Sequence, residues 1–172
     1  MAIRLESTAR FCERCGTVLV QRQVEDRLRP CCPACDFVAY LDPKVAAGVI
    51  VTLNDEVVLL KRNIEPGFGK WVFPGGYVDA GEPPEKAAVR EAWEEVGLDV
   101  ELDSLLGVFS IEGQRVILMV FTGHVTGGVL QGNFESQAVE TFALDAIPWD
   151  ALAFVTTTAA LKTYLARSAP LS

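Results

Sequence analysis

The sequence predicts an α/β (α+β) fold, a mixed sheet covered by helices on both faces, preceded by a small cysteine-held unit at the N-terminus. Three observations predict it. β-branched runs alternate with two helical stretches, one mid-chain and one at the C-terminus. Two CxxC pairs lie within the first 40 residues, and residues 76–98 read as a glycine turn followed by an acidic helix.

The 172 residues, half of them hydrophobic, suffice for one core and a small appendage. The longest apolar runs, such as residues 45–51, fall far short of the roughly 20 residues that cross a bilayer, so no membrane partner is expected. MAIRLESTAR lacks the apolar segment of a secretory signal, which predicts a cytoplasmic location where thiols stay reduced. With 15 basic and 23 acidic residues the formal net charge is −8, which argues against general affinity for nucleic acid. An anionic substrate would need a bound metal or local basic residues.

Residues 1–40 form the first predicted domain. Cys12 and Cys15 are followed by 16 residues and then by Cys32 and Cys35, the spacing of a structural zinc site. The segment is too short for a core of its own, so bound Zn²⁺ would supply its folding energy. Disulfides or unpaired core cysteines are the alternative. Cys31 could replace Cys32, but the two-residue spacing favours Cys32 and leaves Cys31 a free thiol. Between the pairs, VLVQRQVEDRLRP reads as a short hairpin of mixed charge. A ribbon of this kind is expected to be a folding staple or a homodimer surface rather than a nucleic-acid contact.

Residues 41–172 form the second predicted domain. Pro43 discourages helix at Asp42. VAAGVIVTL and EVVLLKR flank Asn54-Asp55 and read as strands joined by a tight turn. NIEPGFGK is a loop, and WVFPGGYV brings a short strand into the glycine turn. Pro83 and Pro84 suit a first helical turn and Gly97 a left-handed stop. Ala88, Val89, Ala92, Trp93 and Val96 are expected to dock this helix inward. Strands are expected at residues 105–111 and 116–125, with His124 as a structural or surface residue lacking an evident partner. A loop at residues 127–132, a strand at ETFAL and an exit at Pro148 follow. Residues 151–167 form a helix packing through Leu152, Val155, Ala159, Leu161 and Leu165, weakened by three threonines at 156–158.

The mid-chain helix carries the chemistry. At 3.6 residues per turn, Glu91, Glu94 and Glu95 project from one face within about 100° of arc. Like charges one turn apart cost roughly 0.2 to 0.5 kcal/mol per pair, a penalty that a hard cation reverses. Ligands that are all oxygen suit Mg²⁺ or Mn²⁺ together with substrate phosphates. Taken alone, three acids on a helix read by default as a solvated face. The full spacing decides: Gly76, five residues, Glu82, seven more, Arg90-Glu91, then AWEEVGL. It matches every fixed position of the Nudix box, and the chain resembles the Nudix hydrolases.

The resemblance implies an α/β/α sandwich that hydrolyses a nucleoside diphosphate linked to another group, a small-molecule nucleotide substrate. Carried over by position, it implies Glu91 and Glu95 as metal ligands with Glu94 a further one, the Gly75 carbonyl completing the shell, and Glu82 with Arg90 in support. The general base is Glu91 or a late-loop acid; Glu140 stands at the resembling place, with Glu135 its competitor. Lys61, Arg62, Trp71 and Gly76 are the substrate-binding candidates, and Phe68, Phe73 and Tyr77 add aromatic surface for a flavin or adenine ring.

No SQPWPFP-type motif of NADH pyrophosphatases occurs between Asp99 and Gln137, and the proline signature of the ADP-ribose group is replaced by IEGQ. FCERCG, the CxxC before AYLDPK, LLKRNIEPGFGKWVFPGGY and FALDAIPWDALAF are similar to the zinc-ribbon subgroup containing FAD and ADP-ribose pyrophosphatases. That implies cleavage of FAD or ADP-ribose with release of AMP. NADH pyrophosphatase-like or housecleaning hydrolysis is the enzymatic alternative. A non-catalytic nucleotide sensor is the alternative of another class, disfavoured because no box acid is lost.

Overall fold

The computed structural model describes residues 7–168. The chain divides into two compact units, Met1–Pro43 with Glu112–Arg115, and Lys44–Ile111 with Val116–Ser172.

The first unit is built from two knuckles and a hairpin. Cys12 N–H donates to the Thr17 carbonyl at 2.8 Å, and Cys32 N–H donates to that of Phe37 at 2.7 Å, so both knuckles close over the same number of residues. Each turns through a left-handed residue just after its second cysteine, Gly16 at φ 73° and Asp36 at φ 55°. Glycine takes that conformation without strain, and aspartate tolerates it. Strands β1 (Val20–Val24) and β2 (Arg27–Cys31) pair antiparallel as the expected hairpin. Little apolar surface is hidden: Phe11, Val18, Val20, Leu28 and Tyr40 are all exposed, while among the described residues the buried apolar ones are Cys12, Pro30, Cys31, Cys32 and Ala39.

The second unit is a mixed sheet between two helices. Strands β3 (Lys44–Leu53) and β4 (Glu56–Arg62) meet at the Asn54-Asp55 turn, where both residues have positive φ as a tight hairpin requires. After the 63–70 loop come the short strands β5 (Trp71–Val72) and β6 (Gly75–Tyr77), then helix α1 (Pro84–Val96). Strands β7 (Leu98–Ser110) and β8 (Val116–Gly128) are longer than the sequence suggests, because each is paired along its whole length with the other. Strand β9 (Ser136–Phe142) and helix α2 (Val155–Ser168) complete the unit. The strand order is β5-β4-β3-β8-β7, with β6 on β3 and β9 on β4; β3 and β8 run parallel and the rest antiparallel.

Alternation along β3 and β4 sorts the core into two layers. Ala47, Val49, Val51, Val58 and Leu60 face α1, packing on Ala87, Ala88, Ala92 and Val96. Ile50, Val57 and Leu59 face α2, packing with Ala160 and Leu161. Pro83 caps α1, Pro84 opens it, and Gly97 ends it in the left-handed conformation. Trp93 does not dock inward: it is 62% exposed, about 100° round from Ala92, and the small side chains alone cover the sheet. Phe73 is core on the α2 side rather than cleft lining. His124 is a surface residue, and it has a partner, Asp103 Oδ1 at 2.9 Å from Nδ1.

Candidate active site

The glycine turn is shaped by close approach. Gly75 and Gly76 lie opposite Gly48 and Ala47 on β3. A Cβ on Gly75 would fall 2.6 Å from the Gly48 Cα, so two backbones meet where no side chain fits. On Gly76 it would fall 2.3 Å from Glu91 Oε1. The second glycine is therefore demanded by a carboxylate of the facing helix. Gly75, expected to offer its carbonyl to a metal, donates its N–H to Glu95 Oε2 at 2.8 Å.

Arg90 ties the turn to the helix. Its Nε and Nη2 each donate to Glu82 at 2.9 Å, a bidentate pair, and Nη2 also reaches the Tyr77 carbonyl at 3.2 Å. Glu82 in turn accepts the Asp79 N–H at 3.1 Å. The Arg90 hydrogen bonds hold the Glu82 carboxyl down to about 2, and Glu82 above all raises the Arg90 guanidinium, against desolvation. Nη1 donates to Glu91 at 2.8 Å and to Glu94 at 3.0 Å, so one nitrogen bridges two of the box acids.

Burial governs the remaining acids. Glu95 is 5% exposed, more hidden than Trp93, and desolvation pushes its carboxyl up to about 8. The Gly75 N–H opposes that rise, the charges of Glu91 and Glu135 add to it, and Arg62 opposes it. Glu91 is raised too, by burial first, against the pull of Arg90. Among the described residues only the four CxxC cysteines have ligand atoms all within 4.8 Å of one another. The three box carboxylates do not meet that measure, because Arg90 holds Glu91 and Glu94 while Gly75 holds Glu95. Even so, two desolvated, mutually repelling carboxylates on the Gly75-Gly76 backbone, with a third beside them, form an all-oxygen donor set that fits Mg²⁺ or Mn²⁺.

Of the two late-loop candidates, the structure brings Glu135 and not Glu140 toward the box acids. In the β4–β9 ladder Glu140 lies opposite Leu59 and Val139 opposite Leu60. Opposed residues share a face, so Glu140 sits with Leu59 and Phe142 on the α2 side, away from the box helix. Glu135, just before β9, is the acid whose charge acts on both Glu91 and Glu95. The same register separates the basic candidates. Lys61 lies opposite Trp71, whose ring packs edge-on to Phe142 at 4.9 Å in the α2-side layer, so this pair is not brought to the acids. Arg62, past a bulge, is: its charge acts on Glu95, its Nε donates to the Pro66 carbonyl at 2.8 Å, and its guanidinium lies 5.3 Å from the Phe154 ring. Phe68 and Tyr77 are exposed.

Sequence reasoning passed over Asn63, Asn133 and Phe154. Asn133, two residues before Glu135, carries the one readable signal, since asparagine bonds the backbone two residues on in an Asx turn.

In the first unit, Cys12 Sγ lies 3.5 Å from Cys35 Sγ, and Cys15 Sγ lies 3.5 Å from Cys32 and 3.6 Å from Cys35. A disulfide would need about 2.0 Å. Four sulfurs each at about 2.3 Å from a central ion stand roughly 3.8 Å apart, so the cluster is compatible with zinc. Cys31 is outside it, buried against the Arg29 carbonyl at 3.5 Å.

A mixed sheet between two helices, with an acidic helix clamped to a glycine turn, together with the similarities that follow, marks the chain as a hydrolase of phosphoric anhydride bonds. The chain belongs to the Nudix family: the NUDIX domain model matches residues 42–161. A solved structure described as a NUDIX hydrolase from Nitrosomonas europaea superposes with a TM-score of 0.87 at 32% identity, over 93% of this chain and 92% of that one. An ADP-ribose pyrophosphatase of Methanocaldococcus jannaschii is 39% identical over 113 residues, 63% of this chain and 67% of its own length. The NAD-capped RNA hydrolase NudC of Pseudomonas aeruginosa is 33% identical over 142 residues, 81% of this chain. The chain spans only 49% of that relative. No helix among the described residues is long and apolar enough to cross a membrane.

Proposed function

We propose that the protein hydrolyses the diphosphate of a nucleoside diphosphate joined to another moiety, ADP-ribose or FAD, releasing AMP in the cytoplasm. The observation that carries this reading is the convergence of Glu91 and Glu95, both desolvated, on the Gly75-Gly76 backbone. Likeness to the archaeal ADP-ribose pyrophosphatase supports the substrate.

Glu91, Glu94 and Glu95 would hold Mg²⁺ or Mn²⁺, which when bound neutralises phosphate charge and lowers the pKa of coordinated water. Arg62, oriented by Pro66 and Phe154, binds a phosphate oxygen. Glu135 takes the proton of the attacking water as general base. Glu82 and Arg90 keep the turn against the helix. Cys12, Cys15, Cys32 and Cys35 would hold a structural Zn²⁺, making the first unit a folding staple or homodimer surface. A second reading, hydrolysis of the nicotinamide dinucleotide, is favoured by the 81% of this chain that aligns with the NAD-capped RNA hydrolase.

The test is hydrolysis of ADP-ribose, FAD, NADH, coenzyme A, diadenosine polyphosphates and nucleoside triphosphates with Mg²⁺ or Mn²⁺, by the wild type and by Glu95→Gln. ADP-ribose or FAD should be cut fastest, and Glu95→Gln should lose most of the activity. Undiminished turnover in that variant overturns the ligand assignment, and preference for NADH selects the second reading.

A further inference from the structure

The loop over residues 129–136 is tied to the box helix in an uncommon way. A helix leaves its last four carbonyls without intrahelical donors. At the end of α1, three carbonyls receive donors from alternate residues of this loop. Val129 N–H reaches the Gly97 carbonyl at 3.0 Å, Gln131 N–H reaches Val96 at 3.0 Å, and Asn133 Nδ2 reaches Glu94 at 2.9 Å. The third tether alone is a side chain. Its other end, Oδ1, accepts the Glu135 N–H at 2.8 Å. One planar amide thus spans the backbone of Glu94 and the backbone of Glu135.

The far side of the loop is fixed as well. Asn63, following β4, donates its N–H to the Glu135 carbonyl at 2.7 Å and its Nδ2 to the Phe134 carbonyl at 3.0 Å. Ser136 Oγ accepts the Asn133 N–H at 3.0 Å and closes the turn. Aspartate or serine could make the Asx turn toward Glu135, but neither replaces the amide. Aspartate has no donor for the Glu94 carbonyl and would set a negative charge against the negative end of the helix dipole.

We propose that Asn133 is a positioning residue of the hydrolysis, its amide fixing Glu135 at the distance from Glu91 and Glu95 that proton transfer needs. This rests on the reading of Glu135 as general base. A catalytic group displaced by about 1 Å can lose on the order of 100-fold in rate, so a single tether is enough to matter.

The experiment is a double-mutant cycle of Asn133→Ala and Glu135→Gln, read as kcat and KM on the fastest-cut compound of the panel above. Asn133→Ala should lower kcat roughly 10- to 100-fold with KM nearly unchanged, and should lower it no further once Glu135→Gln is present. Asn133→Asp, close in size and retaining the Glu135 bond, should fall with Asn133→Ala because it lacks the donor to Glu94. Should Asn133→Ala fail to fold, Asn133→Asp carries the cycle. Additive losses, or a loss confined to KM, overturn the positioning role. Wild-type kcat in Glu135→Gln alone overturns the base assignment instead, so the two failures are distinguishable.

Discussion

Glu95 is the carboxylate on which the fold acts most strongly. Its pKa is raised from 4.5 to about 8, chiefly by burial. The folded state therefore holds a proton that the unfolded chain gives up, and the stability this confers is full below pH 4.5 and lost as pH rises through about 8. Protein dialysed free of Mg²⁺ and Mn²⁺, with its zinc retained, should lose melting temperature across that interval, and Glu95→Gln should flatten the slope. Glu82 has the opposite sign: held down to about 2 by Arg90, it contributes stability above pH 4.5 that is lost as pH falls through about 2. Thermal melts from pH 2 to pH 9 separate the two limbs by their direction. At this scale 3.6-residue periodicity put Glu91, Glu94 and Glu95 on one face, whereas Glu82 and Arg90 entered only through the resemblance, and their pairing with each other is visible in the structure alone. Neither could place Glu135 over Glu140, or Arg62 over Lys61. Those choices depend on the β4–β9 register, and a slip of one residue exchanges the faces.

The β6 turn and α1 are joined by two glycines with different obligations, and substitution should tell them apart. In Gly75→Ala the new methyl meets the Gly48 Cα at 2.6 Å and the Ala47 carbonyl at 2.8 Å, both backbone, so β6 must leave β3. A loss of about 1–3 kcal/mol in denaturant unfolding is expected, as for other overpacked sites. In Gly76→Ala the atoms nearest the methyl all belong to the Glu91 carboxyl, at 2.3–2.7 Å, which can swing aside. Stability should then change little while activity falls at least 10-fold, the cost of one displaced ligand. Equal destabilisation by both substitutions would contradict this division. Helix α1 was legible in its caps, its acids and most of its docking face, since Ala88, Val89, Ala92 and Val96 pack inward as expected and only Trp93 does not. Hydrophobicity marks a broad arc, and whether Trp93 at the margin is covered depends on how closely Ala87, Ala88, Ala92 and Val96 bring the helix to the sheet.

The two units hold together by different means. The unit from Lys44 onward buries two apolar layers on either side of its sheet, whereas among the described residues the apolar ones buried in the first unit are three cysteines, one alanine and Pro30. Charge divides the same way: the six arginines of residues 1–43 equal its six acids, so the net −8 belongs to the remainder. The CxxC pairs are legible in the sequence because metal sites leave a local signature. The assignment of Glu112–Arg115 to the first unit, with Arg115 Nε donating to the Asp42 carbonyl at 2.7 Å, depends on tertiary contact and had none. In a unit so poor in buried apolar area, zinc held by the four sulfurs would supply the stability, on the order of 10–16 kcal/mol in small domains. Cys35→Ser, or a strong chelator, should therefore release about one zinc per chain and unfold the first unit on its own. Hydrogen exchange of residues 7–43 should rise to unprotected rates while β3, β4 and β8 keep their protection. Protection in residues 7–43 that survives removal of the metal would show that the hairpin and knuckles stand without it.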